Sequence, residues 1–187
     1  FGKDLTDTIL RRANLSDVNL TGTILTGADL SNANLTGVDL SGKDLTGTIL
    51  RGANLSGVNL TEAILTEAVL SDAILTDADL SNAIVTDTDL TGLNLTGAIL
   101  IGVDFSNAIL IDTNISNAIL TGADLSDKNL TGITLRGVDL SGVNLTKTIL
   151  YGADLSGVNL TGAILTGANL SDADLTGVDL SGKDLTK

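Results

Sequence analysis

The chain contains no cysteine, histidine, methionine, tryptophan or proline, and its aromatic residues are two phenylalanines and one tyrosine. Without Cys or His, nucleophilic catalysis of the Ser–His or Cys–His kind is excluded and zinc loses its usual ligands. Disulfides are excluded as well, which removes any cysteine framework as a source of stability. No apolar run approaches the roughly 18 residues that a membrane-spanning helix requires. Bases are scarce: 10 Lys and Arg stand against 23 Asp and Glu, a net charge of −13. None of those bases lies between Arg51 and Lys128. Phosphate binding needs clustered Lys and Arg, so direct nucleic-acid binding is not expected.

What the chain has is a period. Every fifth residue from Leu5 to Leu185 is a large apolar side chain, leucine at 34 of 37 positions, with Val85, Phe105 and Ile115 as the exceptions. Neither regular secondary structure can use this spacing. On a helix, residues five apart precess around the whole surface. On a flat strand, an odd spacing sends successive side chains to opposite faces. A chain that turns a corner once every five residues aims every leucine the same way, which predicts a solenoid wound around its own core.

The other positions agree with that unit. Two residues before each centre stands a small side chain such as Ala28, Val38 or Thr48, suited to an interior. Two residues after it fall all 21 glycines, with Asp or Asn in 12 of the other 17 places. These residues tolerate tight-turn backbone, including positive φ. One residue after the centre is Ser or Thr in 31 of 38 cases. The residue just before the centre is mostly Asp, Asn or Ile and is expected to point outward.

Ala28-Asp29-Leu30-Ser31-Asn32 and Ala53-Asn54-Leu55-Ser56-Gly57 match A(D/N)LXX, and the chain resembles the pentapeptide repeat family over essentially its whole length. The resemblance implies an all-β fold, a right-handed quadrilateral β-helix with four pentapeptides to a coil and about nine coils in all. In keeping with a twenty-residue coil, Lys3, Lys43 and Lys183 fall in one column, as do Arg11, Arg51, Ile111 and Tyr151. The unbroken repeat leaves no place for a boundary, so a single domain over 1–187 is expected, the ordered part of a longer repeat chain. Its core ladder runs through Leu5, Leu30, Leu55, Leu80, Phe105, Leu130, Leu155 and Leu180.

Two surfaces are candidates for interaction. The first is acidic and includes Glu62, Glu67, Asp72, Asp77, Asp79, Asp87 and Asp89, within the interval that lacks bases. The resemblance implies one use for such a surface, because family members include quinolone-resistance and self-immunity factors that occupy the DNA site of gyrase. Acidity also suits corners and keeps a β-rich rod soluble. The second is an apolar lateral column of Ile9, Ile49, Val69, Ile109 and Ile149, broken in sequence by Asp29, Asp89, Asn129 and Asn169. Four lysines, Lys3, Lys43, Lys128 and Lys183, take the inward place usually held by Ala. An ammonium there must snorkel, find backbone carbonyls or distort the corner.

Carboxylate pairs such as Asp77 with Asp79 recur with the lattice and read as solvated surface rather than as acid–base pairs. Neither an EF-hand loop nor a Gly-Gly-x-Gly-x-Asp calcium motif occurs. The Asn-x-Ser/Thr triplets, such as Asn14-Leu15-Ser16, follow from the register. No catalytic residue, cofactor or metal is expected. The reading is a non-enzymatic structural rod or protein-interaction scaffold, open to self-stacking end to end. The alternative is an acidic DNA mimic that binds gyrase or another DNA-binding protein.

Overall fold

Corners set the architecture. After each centre the chain reverses through a four-residue turn, as where the Ala28 N–H donates to the Leu25 carbonyl at 2.9 Å. The third residue of each turn has positive φ, as at Gly27 (69°) and Asp77 (56°). This left-handed backbone is the reason Gly, Asn and Asp occupy that place. The computed structural model describes residues 2–186; Phe1 and Lys187, the limits of the expected domain, lie outside the described residues.

Between corners, most outward residues form a parallel bridge to the residue twenty positions on. Ile9 pairs with Asp29, Asp29 with Ile49 and Ile49 with Val69. In a well-formed bridge, backbone hydrogen bonds run in both directions. The Leu30 N–H donates to the Ile49 carbonyl at 2.8 Å, and the Ile49 N–H donates to the Ala28 carbonyl at 2.9 Å. One coil is therefore four five-residue sides, and the fold is a β-helix of stacked parallel coils. Faces 1 to 4 are the stacks whose centres begin at Leu5, Leu10, Leu15 and Leu20.

Side chains on both sides of each corner point inward and form one continuous core. Leu30, Leu55, Leu80, Phe105, Leu130 and Leu155 are buried, while Leu5 and Leu180 are partly buried and packed against the same cluster. Full burial of a leucine contributes about 1.5–3 kcal/mol. Threonines at the small inward position are buried without loss of hydrogen bonding. The Thr88 and Thr113 hydroxyls donate to the Leu65 and Leu90 carbonyls at 3.0 and 2.9 Å. Among the described residues, no buried side-chain nitrogen or oxygen lacks a partner.

Not every corner has a residue suited to it. Arg12, Glu62, Glu67 and Lys147 hold φ between 56° and 59°. Left-handed backbone costs an ordinary side chain roughly 1–2 kcal/mol.

Two substitutions test this architecture. Leu130→Ala removes a fully buried side chain from the tube, and a loss of about 2–5 kcal/mol in chemical denaturation is expected. At Gly122 (φ 75°) an added Cβ would meet nothing within 4 Å, so Gly122→Ala isolates the backbone term. It is expected to lose about 1 kcal/mol, whereas Gly122→Asn should remain close to wild type, since Asn107 and Asn117 already adopt this conformation. Equal stability of the Ala and Asn variants would contradict the turn assignment.

Candidate interaction surfaces

The outer surface is organised by one local motif. An Asp or Asn at the outward position turns its Oδ1 toward the Ser or Thr two residues on, accepting from both its N–H and its hydroxyl. Asp104 accepts from Ser106 N–H at 2.9 Å and Ser106 Oγ at 2.5 Å. Asn114 does the same with Ser116 at 3.0 and 2.7 Å. These Asx turns brace each corner from outside. They also explain why Asp and Asn interchange there: both supply the same acceptor oxygen.

Hydrogen bonding to a carboxylate favours its charged form. The Ser106 hydroxyl and N–H accordingly hold Asp104 below the ordinary carboxylate range, helped by the Lys128 charge. Asp89 is held down by Thr91, Asp124 by Ser126 and Lys128, and Asp139 by Ser141. These four carboxylates therefore keep their charge into acidic solution.

The coil places the acids of the base-free interval unevenly. Glu67, Asp87, Asp104, Asp124 and Asp127 lie on face 1 or on its corner with face 2, and Asp72, Asp89 and Asp112 lie on face 2. Face 3 holds Asp77, and face 4 holds Glu62 and Asp79. The seven acids singled out in sequence divide accordingly. Glu62, Glu67, Asp72 and Asp77 ring the four successive corners of one coil, while Asp87 and Asp89 stand together above Glu67 on the corner between faces 1 and 2. A shallow cavity of about 390 Å³ opens there, lined by Glu67, Val69, Asp87 and Asp89.

The apolar column is not contiguous. Within it, the directly bridged apolar neighbours are Ile49 and Val69. Asp29 separates Ile9 from Ile49 and is itself 6% exposed, its Oδ2 accepting from Arg11 Nε at 2.5 Å. Asp89 and Asn129 flank Ile109, and Asn129 and Asn169 flank Ile149. Two apolar clusters appear elsewhere: Ile64 bridges Ile84 on face 1, and Ile99 bridges Ile119 on face 4 beside exposed Ile101. The twenty-residue offset was the signal that could have found both. On face 2, the single tyrosine, Tyr151, is exposed, and its phenol is pushed up by hydrogen bonding to Asp172 and by that carboxylate's charge.

Among the described residues, no group of three or more Asp or Glu side chains is placed to hold a metal ion. Nor, among the described residues, is any helix long and apolar enough to cross a membrane.

A family model described as pentapeptide repeats matches in 8 copies, over residues 2–27, 13–52, 53–92, 88–127, 129–162 and 153–187. No curated protein sequence matches the chain. Among solved structures, a trypsin-treated point variant of QnrB1, a plasmid-mediated fluoroquinolone resistance protein, is 26% identical with a TM-score of 0.65, covering 97% of this chain and 88% of its own. Full-length QnrB1 is 24% identical with a TM-score of 0.64, covering 98% and 90%. HetL, a pentapeptide repeat protein involved in heterocyst differentiation regulation from the cyanobacterium Nostoc sp. strain PCC 7120, is 38% identical, covering 93% and 83%, with a TM-score of 0.34.

The Asx turns carry a pH prediction. Carboxylates with depressed folded-state pKa values stabilise the fold above the unfolded value. That contribution is lost as pH falls through the folded one. Melting temperature is expected to hold steady from pH 7 to about 4 and to fall below that range, where Asp89, Asp104, Asp124 and Asp139 take up protons. Asp139→Asn should keep the Asx turn and contribute nothing to the fall. Melting curves followed by circular dichroism from pH 7 to 2 check both.

Proposed function

The chain belongs to the pentapeptide repeat family, and from that premise we propose that it is a non-enzymatic, rod-shaped protein-interaction scaffold. In this reading the rod is a single domain of right-handed, quadrilateral coils, about nine in number, which presents flat sides to a protein partner or to another copy of itself. One observation carries it. The interior is filled by a continuous leucine ladder, so the chemistry available to a partner lies on a lattice of outward Asp, Asn, Ser and Thr side chains whose carboxylate and amide oxygens are held by Asx turns. A surface of that kind positions and recognises a partner by the groups it holds in place.

A second reading, an acidic mimic of DNA, has its own support. The base-free interval concentrates acids on faces 1 and 2, around Glu67, Asp87, Asp104, Asp124 and Asp127. The likeness to QnrB1 in structure, at 26% identity, points the same way. A protein that binds DNA through basic residues would meet a row of fixed negative charge there.

Negative-stain electron microscopy with light scattering across a concentration series tests the first reading. Straight rods are expected, lengthening with concentration if copies stack end to end; compact round particles would contradict it. A gyrase supercoiling assay tests the second. Inhibition by the wild type that is lost in the triple variant Asp87→Asn, Asp104→Asn, Asp124→Asn would favour mimicry, and absence of inhibition would remove gyrase as the target.

A further inference from the structure

The bridge ladder is interrupted, and the interruptions are not scattered. Among the described residues, no bridge joins Asn19 to Asp39 or Ile24 to Asp44, the two pairs on either side of Lys43. None joins Asp104 to Asp124 or Ile109 to Asn129, which flank Lys128 in the same way. A third double gap, at Asn159–Asp179 and Ile164–Asp184, flanks Lys183. Each inward lysine that has a coil before it thus sits at the centre of a pair of missing bridges.

The cause is visible at two of the three. In the unbroken ladder, the carbonyl twenty residues before the small inward position accepts the N–H of the outward residue that follows that position. Thus Ile49 N–H donates to Ala28 O at 2.9 Å. At Lys43 the corresponding carbonyl, that of Thr23, is taken by the ammonium at 3.2 Å. At Lys183 the ammonium takes the Ala163 carbonyl at 3.3 Å and also reaches the Leu160 carbonyl. A lysine stem in a place built for Ala, with an ammonium that requires acceptors, displaces the backbone donor. At Lys128 the charge lies near Asp104 and Asp124, and a cavity of about 240 Å³ opens among Asp104, Phe105, Asp124 and Lys128. One further gap, at Val69–Asp89, has no lysine. It is lined instead by Glu67, Asp87 and Asp89, and like charges on adjacent strands oppose pairing.

We propose that Lys43, Lys128 and Lys183 are internal props that hold three coil junctions open and make them the hinges at which the rod yields. In a solenoid each coil is held by its nearest neighbours alone and the junctions act in series, so a junction without its bridges is where bending and local opening concentrate. The middle hinge lies beneath Asp104 and Asp124. It therefore lets the spacing of acids on face 1 adjust along the rod axis without any change in the leucine core on either side. This inference stands on the bridge pattern and does not depend on which partner the rod binds.

Amide hydrogen exchange of the full chain, resolved by NMR, tests it. In the wild type, the Asp124 and Asn129 amides are expected to exchange at least about tenfold faster than those of Asn54 and Ile84, which are bonded to the Ala33 and Ala63 carbonyls. Lys128→Ala should restore the two bridges and remove that difference, leaving the gap beside Lys43 unchanged. Lys43→Ala, read at Asp39 and Asp44, is an independent second test should the first variant fail to fold. Equal protection at seam and ladder in the wild type would overturn the proposal. So would fast exchange that persists when the lysine is gone.

Discussion

Coil-to-coil backbone pairing, each outward residue to the one twenty positions further on, is the interaction on which everything else depends. Apolar side chains alone do not specify it, because a period of five aligns leucines for any chain that turns often enough. The pairing fixes four corners per coil, and four corners require left-handed backbone at a regular place. The corner residues follow from that requirement and the Asx turns brace them. Leucine supplies the driving force for collapse, while the parallel bridges decide which leucine stacks on which.

The same pairing turns sequence into surface. Residues twenty apart become neighbours at roughly the strand spacing of 4.8 Å, so a charge or isoleucine has meaning only with those above and below it. Within the base-free interval, acids that look evenly strewn gather on faces 1 and 2. The column that the sequence suggests on face 2 keeps one bridged apolar pair, Ile49 with Val69, while Ile64 with Ile84 and Ile99 with Ile119 pair on other faces. The scaffold reading uses these sides as flat recognition surfaces. The lysine junctions add a graded flexibility that a uniform leucine tube would lack.

Much of this was legible in the sequence, for physical reasons. The leucine register by itself excludes helix and flat strand, and glycines two places after each centre mark the corners. Lys43, Lys128 and Lys183 also stand out, because an ammonium in an Ala site must find acceptors. The acceptors themselves were not legible. Thr23 and Ala163 offer carbonyls like any other, and only the stacking shows that these are the ones their own ladder needs. Burial of Asp29 was equally hidden, since nothing local distinguishes it from Asp39; its partner Arg11 sits eighteen residues away, on the preceding coil. The apolar column failed as a continuous surface because polar residues at the same register, read as interruptions along the chain, become physical spacers between the coils.

The most direct test of the account is the twenty-residue pairing itself, and the absence of native cysteine makes it clean. Thr46→Cys with Thr66→Cys places two thiols on neighbouring coils of face 1, within the Cα separation of about 4.4–6.8 Å that a disulfide spans. Thr46→Cys with Ser56→Cys, ten residues apart, places them on opposite faces. Under mild oxidation the first pair is predicted to close an intramolecular disulfide and the second to remain reduced. Closure of the ten-residue pair, or failure of the twenty-residue pair in a folded protein, would contradict the stacked-coil account.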